Sequence, residues 1–240
     1  MLRGQQVTAI IPVRGGSKGI PGKNLYRLGR DTLLERTIKI AKLCPYVDRV
    51  LVTTDNQEMY DIAHRYGVST PSLRTVDLAS DNAKTVDVVL DVIQTESVES
   101  GWVLLLQVTS PLRTLDDLNA FCKTFDDDST QSDAAVSLVE FDSPHPDKIQ
   151  KIEDGLVKSY LGKESMVARQ SLPAVYALNG AFYITHRNTL MKSRTFLPLR
   201  TIPFVMPEER SVNLDTMTDI YMLEVMIEKN LCLIEEYELQ

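Results

Sequence analysis

Val7-Thr8-Ala9-Ile10-Ile11-Pro12-Val13 runs straight into Arg14-Gly15-Gly16-Ser17-Lys18-Gly19-Ile20-Pro21-Gly22-Lys23-Asn24. The first seven residues read as a short buried strand, apolar along its length and closed by Pro and Gly. The next eleven read as a glycine-rich loop with three cations, Arg14, Lys18 and Lys23. Glycines let backbone N–H groups come close to an anion, and the cations neutralise its charge. The chain places no carboxylate before Asp31, although its formal net charge is -7. A loop of this kind brings backbone N–H groups and positive side chains close together, and its local charge points to a polyphosphate. The alternative reading is a solvated basic turn. The loop is not a P-loop, because Gly-Lys-Ser/Thr is missing at the required spacing, and it lacks Gly-x-Gly-x-x-Gly.

Working outward, strand and helix patterns alternate. Asp31 is placed to cap a helix with Leu34, Ile38 and Ala41 on one face. Arg49 to Thr54 reads as a second strand, ending at Asp55. Gln57 to Tyr66 reads as a helix stopped by Gly67, and Thr85 to Glu96 as another. Trp102 to Gln107 reads as a third strand, ending in Thr109-Ser110-Pro111. A helix from Thr114 to Phe125 and a strand from Ala134 to Val139 follow. This alternation predicts an α/β fold with a mostly parallel sheet and helices on both faces. Ligands of such sheets bind beyond the C-terminal strand ends. The Arg14 loop, Asp55 and Gln107 all follow such ends and are expected to share one cleft.

Residues 142–178 read as an excursion from the sheet. Two strand-like runs, Lys148 to Ile152 and Leu156 to Tyr160, flank Asp154-Gly155, a hairpin turn signal. Ala181 to Ile184 returns to the sheet. Thr216 to Lys229 reads as a final helix with Ile220, Leu223 and Ile227 on one face. The length of 240 residues suits one domain over 1–240 carrying this insertion.

Composition narrows the function. Hydrophobic residues make up 43% and charged residues 25%, as in an ordinary globular protein. The acidic balance argues against broad nucleic-acid binding. No stretch has the apolar length of a membrane span, and the N-terminus lacks a signal-peptide pattern, so a cytoplasmic protein is expected. Cys44, Cys122 and Cys232 form no metal-spaced pair and are expected to be free thiols.

Further residues suit chemistry. In an extended segment, Asn213 and Asp215 project to one side, and an Asp with an oxygen-bearing neighbour suits Mg²⁺ shared with phosphates. Asp215 or Thr216 equally suits a helix cap. Gln107 and Thr109 can meet a polar ligand or satisfy loop backbone. Lys148 and Arg169 can pair with a substrate carboxylate or form surface ion pairs. His64 reads as a helix-surface residue, His145 as a turn residue and Trp102 as core.

Four blocks, in order along the chain, resemble the CMP-sialic acid synthetase family. They are Arg14 to Asn24; Leu105-Leu106-Gln107-Val108-Thr109-Ser110-Pro111-Leu112-Arg113; Arg169-Gln170-Ser171-Leu172-Pro173 with Asn179-Gly180-Ala181-Phe182-Tyr183-Ile184; and Ser211-Val212-Asn213-Leu214-Asp215-Thr216. The resemblance implies a Rossmann-like sheet of the glycosyltransferase-A type. It implies a cytidylyltransferase that joins CTP to a nine-carbon 2-keto sugar acid of the sialic or legionaminic type, with Mg²⁺ and release of pyrophosphate. Related alternatives are pseudaminic or octulosonic acid as substrate, or a non-catalytic nucleotide-binding relative. By the family's pattern, Arg14, Gly15, Gly16, Ser17, Lys18 and Asn24 hold the nucleotide, with Arg74, Ser80 and Asp81. Arg14, Lys23 and Asp215 bear on catalysis, and Asp215 and Asn213 on the metal. Gln107, Lys148, Arg169 and Tyr183 line the sugar pocket, with Phe196 near in space. The excursion corresponds to a dimerisation element, which implies a homodimer with shared active sites. This chain departs from the pattern at Val108, where the family has Pro, and at Asn213, where it has Asp. Leu197 stands where some members carry an aromatic.

Overall fold

The computed structural model describes residues 1–71, 73–80, 82–141, 143–163 and 166–239. The strands are β1 (Val7–Pro12), β2 (Arg27–Leu28), β3 (Asp31–Thr32), β4 (Arg49–Thr53), β5 (Trp102–Leu105), β6 (Ala134–Glu140), β7 (Gln150–Glu153), β8 (Leu156–Ser159), β9 (Tyr176–His186) and β10 (Thr201–Met206). The helices are α1 (Leu33–Leu43), α2 (Gln57–Arg65), α3 (Val76–Ala79), α4 (Thr85–Thr95), α5 (Leu115–Asp126), α6 (Arg187–Ser193) and α7 (Met217–Glu228). Six strands form the central sheet in the order β10-β6-β9-β5-β1-β4. β4 and β5 flank β1 in parallel, and β10 runs parallel to β6. β9 opposes its neighbours, pairing antiparallel with both β5 and β6.

The two-residue period of the strands splits the core. Ala9, Ile11 and Leu104 join the side chains of α1, α2 and α5, among them Leu34, Ile38, Met59, Phe121 and Phe125. Ile10, Val103 and Leu105 face the other way and pack on Val89, Val92 and Ile93 of α4 and Leu190 of α6. Buried on both faces, these strands read as continuous apolar runs instead of alternating ones.

Asp31 does not cap α1. Thr32 does, accepting from Glu35 N while Glu35 returns a bond to Thr32 N. Asp31 pairs with Lys39 at 2.7 Å. At α7 the cap is Thr216, through a box with Asp219, so Asp215 is left outside the cap. The strand expected over 102–107 ends at Leu105, and Gln107 lies in the loop beyond it. β10 and α6 carry no expectation from the sequence. β10 contains Pro203, which is tolerated because this strand lies at the sheet edge.

The hairpin β7–β8 turns at Asp154 and Gly155, both at positive φ (55° and 75°). Pairing of Ile152 with Val157 puts both on one face of this ribbon, and both are largely exposed (78% and 71%). Cys44, Cys122 and Cys232 are free and buried. No helix among the described residues is long and apolar enough to cross a membrane.

Candidate active site

The ends of β1 and β5 open on one cleft of about 270 Å³. Its lining includes Arg14, Ser17, Lys23 and Asn24 from the first loop, Arg74 and Ser80 from the segment around α3, and Gln107 beyond β5. Leu78, Ala83 and Val88 supply an apolar wall. Residues from three separate sequence blocks thus meet where a parallel sheet binds ligands.

The loop is held from below. Asn24, buried, donates from Nδ2 to Arg14 O at 2.9 Å, which closes the loop on its own start. Val13 N continues the sheet ladder to Thr53 O at 2.9 Å. Gly15 N then donates to Asp55 Oδ1 at 2.8 Å. Arg74 donates to Val13 O and lies 4.0 Å from the same Asp55 oxygen. Burial pulls the Arg74 guanidinium below its ordinary pKa; Asp55 opposes this and Arg14 adds to it. Ser80 Oγ donates to Asp77 O at 2.8 Å, which fixes the end of α3 at the cleft wall.

The segment 211–216 docks against this loop. Leu214 N donates to Thr109 O at 2.8 Å, and Lys23 Nζ donates to Leu214 O at 2.8 Å. Lys23 Nζ also lies 3.9 Å from Asp215 Oδ1. Burial lowers the Lys23 pKa from its ordinary 10.5, Asp215 pulls it back up and Arg14 lowers it further. Gly19 is where the two segments touch: a Cβ there would lie 2.1 Å from the Asp215 carbonyl oxygen. Gly180, at φ +78°, does the same service at the other end. A Cβ on it would stand 3.1 Å from Gln107 Oε1, 3.3 Å from Ser110 Oγ and 3.4 Å from Asn213 Oδ1. Gly180 lies in an irregularity of β9, where the register with β6 shifts between Val136 and Leu138. Buried Ser137 and Asn179 fill it, joined by a 2.6 Å hydrogen bond.

Asn213 Nδ2 donates to Asp215 Oδ2 at 2.6 Å, so the amide oxygen of Asn213 is turned away from that carboxylate. Asp215 is 68% exposed along its side chain. Among the described residues no three His, Cys, Asp or Glu side chains gather as a metal cage. The exposed Asp215 carboxylate is nevertheless an oxygen ligand of the kind Mg²⁺ takes together with waters and phosphate oxygens, and Asn213 would add its amide oxygen only after turning the amide over. The residues present fit that ion.

The sugar-pocket residues are more scattered. Gln107 lines the cleft. Tyr183 is half-buried on β9, with burial raising its pKa, and its ring centroid is 6.1 Å from that of Phe196. Phe196 is buried with Ile10, Leu51 and Val89 in the core under α4 and does not line the cleft. Its flanking apolar residues in sequence could equally have marked a core position. Lys148 is exposed, at the end of the single turn Pro146–Lys148. The side chain of Arg169, and Asp81, lie outside the described residues. Gly15, Gly16 and Lys18 sit on the loop itself, and the Gly15 N–H is committed to Asp55. Asp55, expected from its strand end to share the cleft, is not among the lining residues and instead accepts Gly15 N behind the loop, and Gly19 and Gly180 carry no individual role in the sequence reading. An isolated glycine within a strand signals a bulge or a close backbone approach, and Gly180 is both.

Residues 8–137, more than half of the chain, match the sequence profile of the cytidylyltransferases. The chain belongs to the cytidylyltransferase family. It is 30% identical over 231 residues to the CMP-N,N'-diacetyllegionaminic acid synthase of Legionella pneumophila, covering 94% of this chain and 97% of that one. It is 31% identical over 213 residues to an N-acylneuraminate cytidylyltransferase of Streptococcus agalactiae, covering 88% of this chain but half (50%) of that protein. Among solved structures, a CMP:2-keto-3-deoxy-manno-octonic acid synthetase complexed with CTP superposes with a TM-score of 0.68 at 15% identity, over 94% of this chain and 99% of the other. That likeness establishes the nucleotidyltransferase fold.

Proposed function

We propose that this cytidylyltransferase activates a nine-carbon 2-keto sugar acid of the legionaminic or sialic type, joining it to the CMP part of CTP and releasing pyrophosphate. The observation that carries the reading is the docking of segment 211–216 on the cationic loop through Lys23 and Gly19. It sets the Asp215 carboxylate 3.9 Å from Lys23, which with Arg14 lines the cleft.

In this reading the anomeric hydroxyl attacks the α-phosphorus of CTP and pyrophosphate departs in line. The protein's work is positioning and charge stabilisation. Arg14 and Lys23 meet the negative charge that grows on the leaving pyrophosphate. Ser17 and Lys18 bind the phosphates, Asn24, bonded to Arg14 O, holds the loop around them, and Arg74 with Ser80 bounds the nucleotide beside the apolar wall of Leu78 and Val88. Gln107 orients the sugar hydroxyl; its amide cannot take the proton at neutral pH. Asp215 and Asn213 would hold Mg²⁺, which would supply Lewis-acid polarisation of the α-phosphate.

The reading includes a homodimer. A two-stranded hairpin is marginal by itself in water, and Ile152 and Val157 leave an apolar face of β7–β8 uncovered. A second copy covering that face would bring Lys148 and Arg169 toward the neighbouring cleft.

The test is pyrophosphate release with CTP and Mg²⁺, comparing N-acetylneuraminic, di-N-acetyllegionaminic and pseudaminic acids with a no-sugar control. Sugar-dependent release supports the reading and the fastest substrate names the sugar. No release with any of the three overturns it. Sedimentation of wild type against Ile152→Asp tests the dimer: two monomers of equal mass would remove it.

A further inference from the structure

Asp55 is a carboxylate set beneath a cleft whose charged lining, among the described residues, is positive. An anion there repels a triphosphate, so its presence calls for a compensating role. Its Oδ1 accepts Gly15 N at 2.8 Å, one residue past Arg14. The same oxygen lies 4.0 Å from the Arg74 guanidinium, which is only 5% exposed. Arg74 is tied to this corner twice more, through its own N–H to Thr54 O at 2.7 Å and through its guanidinium to Val13 O. Its Nε is buried without a hydrogen-bond partner, so the local negative charge and the carbonyl are what hold the group in place.

The surrounding segment is rigid. Asn56 caps α2 by accepting Met59 N at 3.1 Å, and Asn56 N donates to Thr54 Oγ1 at 3.1 Å. Asn56 also closes over Gly15, where an added Cβ would meet it at 3.2 Å. Asp55 therefore projects from a hydrogen-bonded strand end and meets the loop at Gly15.

We infer that Asp55 is a positioning residue for nucleotide binding: it turns the Gly15 amide inward and anchors Arg74, so that Arg14 and Arg74 present their guanidiniums to CTP from set positions. It does not touch the substrate. The inference rests on the CTP-dependent function proposed above. It has a corollary for the loop: the Gly15 N–H is withheld from the phosphates, and anion contacts fall to other groups of the loop.

The test measures CTP binding by calorimetry without sugar acid, followed by steady-state kinetics, for wild type, Asp55→Asn and Asp55→Ala. Asn keeps an acceptor oxygen for Gly15 but loses the charge facing Arg74. Ala loses both. The expected order is a CTP Kd raised about threefold in Asp55→Asn and about tenfold or more in Asp55→Ala. kcat/KM for CTP should fall in parallel, with the KM for the sugar acid unchanged. A purely structural role would lower the melting temperature while leaving the CTP Kd of the folded protein alone, and that result overturns the inference. So does a CTP Kd within twofold of wild type in Asp55→Ala or, should that variant not fold, an unchanged Kd in Asp55→Asn. Wild type that binds no CTP defeats the functional reading itself, and the inference falls with it; wild type that binds CTP beside indifferent variants defeats only the inference.

Discussion

Gly19→Ala puts a methyl carbon 2.1 Å from the carbonyl oxygen of Asp215. An ordinary C···O contact is about 3.3 Å, so the loop or the Asp215 segment must give way by about 1.2 Å. Neither has slack. Lys23 Nζ is bonded to Leu214 O, and Leu214 N to Thr109 O, both at 2.8 Å. The obstacle is backbone, so no side-chain rotation relieves it. Overpacking of this kind costs about 1–3 kcal/mol of stability, and a misplacement of about 1 Å among catalytic groups costs roughly 100-fold in rate. The assay is pyrophosphate release at saturating CTP and sugar acid, beside a thermal melt. Gly22→Ala is the comparison. Gly22, unlike Gly19, is at positive φ (67°), and no heavy atom lies within 4 Å of its added Cβ. That variant carries only the left-handed penalty of about 1–2 kcal/mol. Gly19→Ala should lose turnover far beyond Gly22→Ala at matched stability. Wild-type turnover and melting temperature in Gly19→Ala would refute the claim that loop and segment are locked together.

Arg14→Ala should cut turnover by about 100-fold or more while the melt stays near wild type, since the residue is in a loop; near-normal turnover in the release assay removes it from the chemistry. Lys23 must be charged to act, and burial lowers its pKa below 10.5, so kcat/KM should fall on the alkaline side sooner than an ordinary lysine allows, with the limb abolished in Lys23→Arg. Stability runs the opposite way: below its lowered folded pKa the charged Lys23 is a penalty, relieved as pH rises toward 10.5, and a melt that weakens across that window from this group contradicts the assignment. Asn213→Asp replaces an amide that donates to Asp215 by a second carboxylate. Its half-activating Mg²⁺ concentration should drop roughly tenfold, and its melt without metal should fall and recover with Mg²⁺; an unchanged metal dependence takes position 213 out of the site.

Much of this was legible in the chain. β1, β4, β5 and β6 carry short apolar runs bounded by turn residues, because buried parallel strands leave that mark. The meeting of Arg14 and Gln107 followed from the rule that strand ends converge, Arg74 came from the family resemblance alone, and Asp55, expected in the same cleft, is not among its lining residues. What the chain concealed depends on contacts between distant segments. Thr32 outranks Asp31 as a cap only because Glu35 is placed to reciprocate and Lys39 captures the aspartate. Gly19 looked like one glycine among several until Asp215 arrived above it. β10 was hidden by Pro203, which reads as a breaker unless the strand is known to lie at an edge. Phe196 faces its own core, and nothing in its neighbours' types distinguishes that from a ligand wall.

The place of β9 governs how the chain can be divided. β5 and β6 never touch; the strand between them is supplied from residues 176–186. The stretch from β1 through β6 holds the cationic loop, Arg74 and Gln107, yet its strands form two fragments with an open seam. A truncated or nascent chain ending after β6 has unpaired strand edges and no seat for Lys23's partner carbonyl. The sheet is therefore completed only when residues 176–186 are in place, and the 8–137 stretch that matches the family model is not a unit that can be cut free.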